Sequence, residues 1–308
     1  MESVKAHNTC INQCGAVVVT WQPDIETLAA LLTDLTAQGC DVVVVDNGSD
    51  NAAQVKALVD SLAPEASMMP WQQNRGLSVA MNAGLQYLRE NQYEFVFLFD
   101  QDSRLTDGFC ESMLQAWYRA CDVSSQPVGA VGPRLQDPDT GRRTPFRLFR
   151  LGRRSDCAMA TADDLFEADF LISSGSLMSL SAVAAIGPMK DDYFIDNIDL
   201  EWCFRAKAKG YALVGTDAAI LLHSIGEPSR NPLVRAGVMV RHSPARSYYS
   251  TRNRLHLYRQ SYAPVAWKLR DCFRFVLKTA WLVLFSPQRG EYAAQIRRGI
   301  KDAGSLND

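Results

Sequence analysis

An open α/β sheet flanked by helices, with a nucleotide-binding first hundred residues, is the fold class this sequence predicts. Short β-branched or aromatic runs alternate with helical periodicity from Ala16 onward, turn residues follow each run, and one run ends in two acids, Asp100 and Asp102. Ala16-Val17-Val18-Val19-Thr20 reads as the first strand, closed by the turn Trp21-Gln22-Pro23-Asp24, whose Asp24 caps a helix. That helix places Ile25, Leu28, Leu31, Leu32 and Leu35 on one face and stops at Gly39. Asp41 to Val45 is the second strand, with Asp46-Asn47-Gly48-Ser49-Asp50 as its turn. An apolar patch at Met68-Met69-Pro70-Trp71 precedes Asn74-Arg75-Gly76, after which Val79 to Leu88 reads as a helix. Phe95 to Phe99 follows as a buried strand and carries Asp100-Gln101-Asp102-Ser103 to the C-terminal edge of the sheet, where open α/β folds place their ligands.

Beyond Asp102 the pattern loosens. Val128 to Pro133 is a short strand, and Asp137 to Arg154 is a polar loop without helical period. Asp169 to Met178 reads as one strand with a small-residue interruption, followed by a helix from about Ser181 to Ile186. Tyr193-Phe194-Ile195-Asp196-Asn197-Ile198-Asp199-Leu200-Glu201 opens an acid-rich helix that ends near Gly210, and the apolar run Ala218 to Leu222 ends at His223. There is no internal repeat and no low-complexity segment. Asp100 and Asp102 can together hold a divalent metal against a diphosphate, and a solvated turn is the rival account.

At 308 residues and 47% hydrophobic, the chain can bury a sizeable core as one large or two fused domains. Its net charge of -2 hides an asymmetry: from Arg241 to Lys301 there are 13 Lys or Arg against only Asp271 and Glu291, about +11 there and about -13 elsewhere. Such a tail suits nucleic acid, an anionic membrane surface or a phosphorylated substrate. From Val265 to Phe285, Arg270, Arg274 and Lys278 recur every fourth residue against Trp267, Leu269, Phe273, Val276, Leu277 and Trp281. Charges interrupt this stretch too often for a membrane span, so it is a basic amphipathic helix on a membrane surface or a packed helix with a solvated stripe. The eight cysteines lack metal-ligand spacing, and no charged-then-apolar leader opens the chain. A reducing cytoplasm without a secretion signal is the expectation.

Several segments, in order, resemble inverting glycosyltransferases of family 2 with the A-type fold, and among them bacterial rhamnosyltransferases of lipopolysaccharide, O-antigen or rhamnolipid synthesis. They are Val-Val-Val-Thr at 17 to 20, Val-Asp-Asn-Gly-Ser at 45 to 49, Asn-Arg-Gly at 74 to 76, Phe-Asp-Gln-Asp-Ser at 99 to 103, Phe-Leu-Ile-Ser-Ser-Gly at 170 to 175, and Phe-Ile-Asp at 194 to 196 leading into Asp199 and Glu201. The resemblance implies a Rossmann-like mixed sheet with a C-terminal helical extension. It divides the chain into a catalytic domain over 1–240, nucleotide-binding at about 15–103 and acceptor-binding at about 104–240, and a basic helical region over 241–308 that is a candidate for membrane association. It also implies a metal-dependent transfer of L-rhamnose from dTDP-L-rhamnose to a saccharide or glycolipid acceptor, in the cytoplasm or peripherally on the inner membrane, with no nucleic acid involved.

Residue roles follow from that resemblance. Thr20, Pro23 and Asp46 border the base, with Asp46 accepting from its imide N–H; a plain turn is the alternative. Asn74, Arg75 and Gly76 meet phosphate or sugar from a helix start, or simply cap that helix. Asn82 reaches the donor or faces solvent. Asp100 and Gln101 bind the donor, and Asp102 with His223 holds Mg²⁺ or Mn²⁺. Asp199 is the base that deprotonates the acceptor hydroxyl, supported by Asp196 and Glu201, while the helix macrodipole alone accounts for one or two of these acids. Ser173, Ser174 and Gly175 floor the acceptor site, or pack a strand tightly. Arg252 and Asn253 hold the diphosphate when a segment closes, or form surface ion pairs. Rhamnolipid synthesis, another nucleotide sugar, a lectin-like scaffold and a basic nucleic-acid-binding protein are the competing functions.

Overall fold

Val, Phe and Leu fill the first strands without polar interruption because helices cover both faces of the sheet. The structure, a computed structural model, describes residues 13–149, 156–159, 162–222 and 243–306. β1 (Cys14–Thr20) pairs in parallel with β2 (Asp41–Asp46) on one side and with β4 (Phe95–Asp100) on the other, and β3 (Ser67–Pro70) lies beyond β2. The connecting helices are α1 (Ile25–Ala37), α2 (Ala52–Leu62) and α3 (Leu77–Glu90). Strand residues alternate between two cores. Val18, Val44, Phe97 and Phe99 pack with Leu28, Leu31 and Leu35 of α1, whereas Val17, Val45, Val96 and Leu98 pack with Met81, Leu85 and Leu88 of α3.

Strand order reverses between β1 and β4, the crevice at which open α/β sheets take ligands. Register sets Thr20 opposite Asp46 and Val19 opposite Asp100, so the polar ends of three strands meet at one edge.

The second half adds β5 (Arg104–Leu105), α4 (Phe109–Val123), β6 (Val128–Gln136), β7 (Ala158–Met159), β8 (Ala162–Ala168), β9 (Leu177–Ser179), α5 (Leu180–Ile186), α6 (Ile198–Ala208) and β10 (Ala212–Leu222). The sheet runs β3-β2-β1-β4-β9-β6-β10-β8-β7, with β5 antiparallel to β10. One expectation is corrected here. Residues 169 to 178 do not form a single strand: β8 stops at Ala168 and β9 starts at Leu177. Gly175 between them takes φ +76, and its N–H reaches Leu98 O at 2.7 Å, a turn that an ordinary side chain would strain.

α7 (Pro244–Arg259), α8 (Val265–Phe285) and α9 (Arg289–Asp302) follow. Ser243 caps α7, and Pro244 occupies its first turn, where no N–H is missed. Leu257, Ala263 and Trp267 form a small core with Phe204 of α6. Among the described residues, no helix is long and apolar enough to cross a membrane.

Candidate active site

Asp100 ends β4 on the face shared with α3 and α6, because it continues the alternation of Val96 and Leu98. A tight turn follows, in which Ser103 N donates to Asp100 O at 3.1 Å, leaving Asp102 exposed. The turn is pinned from two sides. Ser103 Oγ and Ser174 Oγ are 2.6 Å apart, and Gln101 Oε1 accepts from Trp21 N at 2.8 Å. Asp100 and Asp102 are therefore held on a short, braced turn at the switch point. His223 follows the last residue of β10 and lies outside the described residues; Leu222 itself pairs with Arg104 beside this turn.

The expected base-binding residues take other partners. Asp46 is fully buried, and its carboxylate accepts from Thr20 Oγ1 at 2.8 Å, Ser49 Oγ at 2.6 Å and Ser49 N at 3.1 Å. Alternation carries Thr20 and Asp46 to the face under α1 and α2, on the side opposite Asp100, where Asp46 ties the ends of β1 and β2 together. Pro23 is buried beside them. Asn74 Oδ1 accepts from Gly76 N at 2.9 Å and Asn47 Nδ2 at 3.1 Å, while Asn47 Oδ1 takes Arg75 N at 2.8 Å. These bonds shape the start of α3. The Arg75 guanidinium stays exposed and lies 4.8 Å from the Trp71 ring. Gly76 has φ +99, and a Cβ there would meet Phe194 at 2.9 Å, so only glycine fits. Asn82 is occupied: it donates to Met189 O and to Asp191 Oδ1 and accepts from Met189 N. It joins α3 to the loop before α6.

That loop delivers Asp199. Asp196 and Asn197 both have left-handed backbone, φ 69 and 62, a costly pairing for residues other than glycine that turns the chain sharply into α6. α7 holds it in place. Arg246 grips the Asp196 carboxylate through two nitrogens at 2.8–3.1 Å. Asn253, fully buried, donates to Ile195 O and Asp196 O at 2.9 Å each, and Arg252 reaches Asp192 O. Arg252 and Asn253 thus clamp this segment. The Phe194 ring stacks on Tyr249 at 4.7 Å, and Leu77 N donates to Phe194 O at 2.7 Å, joining the segment to α3 as well.

Asp199 and Glu201 point to opposite sides of α6, as residues two apart on a helix must. Glu201 is 1% exposed, paired with Arg205 at 2.8 Å, and accepts from Tyr262 Oη at 2.8 Å, so it is a structural anchor and not a second acid at the site. Asp199 receives hydrogen bonds from both the side chain and the backbone of Ser173. Its carboxyl is pushed up to about 7, first by burial, then by the charge of Asp100 and of Asp196, against the lowering effect of the Ser173 bonds. A partly buried acid facing a second carboxylate titrates where a proton acceptor is useful at neutral pH.

Residues 16–181 match the family model of glycosyl transferase family 2, more than half of the chain. The chain belongs to glycosyl transferase family 2. It is 29% identical to the dTDP-rhamnosyl transferase RfbF of Shigella flexneri over 281 residues, 90% of each chain. In fold it is similar to the Pyrobaculum calidifontis mannosyltransferase solved with GDP-Man and Mn²⁺ (TM-score 0.56, 16% identity, 96% of this chain and 76% of that one). It is also similar to GalNAc-T7 with UDP, GalNAc and Mn²⁺ (0.56, 10%, 95% and 56%) and to S. aureus TarS 1-349 with UDP-GlcNAc (0.55, 14%, 94% and 81%).

In this family 2 chain the matched span holds Asp100, Asp102 and Ser173, whereas Asp199 and the α7 clamp lie beyond it. Trp21, 53% exposed at the end of β1 with its N–H on Gln101, reads from sequence only as part of a turn. An exposed tryptophan just past a buried strand was the available signal for a flat surface at the crevice. Asn47 and Ser49, which organise Asn74 and Asp46, carry no such signal, because any Asp-Asn-Gly-Ser stretch reads as a turn.

Proposed function

We propose that this glycosyltransferase moves L-rhamnose from dTDP-L-rhamnose to a hydroxyl of a saccharide or glycolipid acceptor in bacterial cell-surface polysaccharide synthesis, at the cytoplasmic face of the inner membrane, with inversion at the anomeric carbon. The match to RfbF over 90% of both chains carries the donor assignment. The reaction rests on Asp199. Bonded to Ser173 and opposed by Asp100, it takes the acceptor proton as the hydroxyl attacks from the side opposite the departing diphosphate. Ser173 fixes the carboxylate in the orientation that receives that proton.

Mg²⁺ or Mn²⁺ belongs to this reading, since two of the solved relatives hold Mn²⁺ with nucleotide or nucleotide sugar. Asp100 and Asp102 fit: they are hard oxygen donors on a braced turn, Asp100 partly exposed and Asp102 exposed, although no third His, Cys, Asp or Glu joins them among the described residues. These two aspartates would hold the ion, with His223 the third ligand implied by the family, and the ion would offset charge on the leaving diphosphate. Asp102→Ala should abolish cation-dependent donor binding with the fold intact, as the side chain is exposed. Undiminished turnover in chelator would remove the metal from this account.

Phe170, Leu171 and Ile172 line a groove of about 270 Å³ with Pro133, and Leu171 also stands with Trp202 around the Asp199 cavity. An apolar wall suits a sugar lacking a 6-hydroxyl, because glucose would strand a polar group there. The test is nucleoside diphosphate release from dTDP-rhamnose, dTDP-glucose and UDP-glucose at equal concentration. Rhamnose should be preferred, with the sugar contributing more selectivity than the thymine methyl, which is worth only ~1 kcal/mol. Equal rates with both dTDP sugars would overturn the rhamnose assignment.

A further inference from the structure

α8 has two apolar faces. Trp267, Phe275 and Leu282 turn inward, while Val265, Leu269, Phe273, Val276, Leu277 and Leu284 are 55–68% exposed in a continuous stripe along the other side. Over the 20 residues from Val265 to Leu284 the stripe runs ~30 Å at the rise of an α-helix. Exposed apolar surface of this extent marks an interaction face. Its charged border is of one sign. Arg270 and Arg274 flank the stripe and are exposed, whereas Asp271 is engaged by Arg254 at 2.7 Å and Tyr258 Oη at 2.6 Å and so does not neutralise them. Lys278, which the four-residue spacing groups with these arginines, is partly buried beside Ser247, Ser250 and Arg254 and plays no part in the border.

We infer that α8 is the face by which the transferase sits on an anionic lipid bilayer, its apolar stripe in the headgroup boundary and Arg270 and Arg274 on lipid phosphates. This deepens the membrane position proposed above by naming the surface and the lipid charge it requires. A helix too interrupted to span but apolar along one side and basic at its edge is built for the interface plane. An antiparallel second copy is a poorer fit, because it would bring the arginine borders of like charge to the same side. The position also serves the active site. Arg147, Arg270 and Arg274 line a cavity of about 450 Å³ with Phe149, Phe170 and Phe273, and Arg147 and Phe170 also line the groove that runs to Leu171 and Ile172 beside Ser173 and Asp199. Seated on α8, the enzyme opens that groove at the bilayer surface.

The test is flotation of the full chain with vesicles of phosphatidylcholine alone or with 30% phosphatidylglycerol, the latter composition set at about the anionic content that gives a strongly negative surface. Binding is expected only with phosphatidylglycerol and should weaken steeply with salt. Leu269→Glu with Phe273→Glu should cut partition at least ~100-fold, and Arg270→Ala with Arg274→Ala about 30-fold at low salt. Nucleoside diphosphate release from dTDP-rhamnose, measured on the same samples, separates the two readings: vesicle binding without release sinks the donor, and release without vesicle binding sinks the membrane face. Two further results also overturn it: equal binding to both vesicles, or a concentration-dependent dimer in light scattering that Phe273→Glu dissociates.

Discussion

Asp199 illustrates how one side chain's surroundings set both chemistry and stability. In the unfolded chain its carboxyl titrates near its ordinary 3.8, and in the folded chain near 7, so between those values the folded protein holds the extra proton. Stability from this group is therefore full below about pH 3.8, declines as pH rises toward 7 and is level above, the reverse of an ion-paired aspartate. Activity runs the other way, because only the ionised form accepts a proton. We expect transfer to rise with pH through about 7 and then flatten, and occupancy of the Asp100 and Asp102 turn by a cation to move that rise to lower pH by offsetting the Asp100 charge. Asp199→Asn should lower kcat by ~10²–10⁴-fold with donor affinity little changed. The same variant should melt at a higher temperature than the parent at pH 8, where the parent buries a charge that asparagine lacks. A loss of that size in Glu201→Gln but not Asp199→Asn would move the base by two residues, against the burial of Glu201 in its ion pair with Arg205.

At the scale of elements, the segment from Tyr193 to Asp199 has little regular structure of its own and depends on α7 for its shape. Asn253 supplies two donors to its carbonyls from a fully buried position. Asn253→Ala should leave both carbonyls unpaired, cost ~1–3 kcal/mol in denaturant unfolding, and lower kcat more than it raises KM for the nucleotide sugar. Unchanged kcat would show that α7 does not position Asp199. Arg246→Ala, by contrast, loses a partly exposed ion pair and should cost under ~1 kcal/mol. This dependence is also where the sequence stops being legible. β1, β2, β4 and α3 are visible as apolar runs and helical periods because each answers to local patterning, and α8 is legible to its first and last residue. α2 has only Val55 and Val59 buried, too few to set a period, and the aromatic and cysteine residues of α4 blur its apolar face, Phe109, Met113, Ala116 and Ala120. Asp46, Asn82, Arg252 and Asn253 are recognisable as polar residues in motif positions. Their long-range partners lie 26 to 109 residues away, and no local pattern records them.

For the whole molecule, the charge asymmetry draws a line near residue 240, and the contacts cross it. Tyr193 is fully buried with its hydroxyl on His256 Nδ1 at 2.8 Å and Asn253 O at 3.1 Å, and Phe204 of α6 is closed over by Leu257, Ala263 and Trp267. Glu201, the anchor of α6, takes one of its hydrogen bonds from Tyr262. A chain ending at residue 240 would leave the Tyr193 hydroxyl without both partners, expose two large aromatics and loosen the loop that presents Asp199. Each exposed aromatic forfeits ~1.5–3 kcal/mol and each orphaned buried polar group ~1–3 kcal/mol, together comparable with the ~5–15 kcal/mol stability of a whole domain. The β1 to β4 half needs none of these contacts. Its strands pack on α1, α2, α3 and α4, all of which the fragment keeps. We therefore expect the 1–240 fragment to retain parallel-sheet circular dichroism, lose its cooperative melt and bind 8-anilinonaphthalene sulfonate. It should show no transfer even if nucleotide still quenches the fluorescence of exposed Trp21. A sharp thermal transition together with full transfer activity in that fragment would make 241–308 an independent attachment and leave the base positioned by the catalytic half alone.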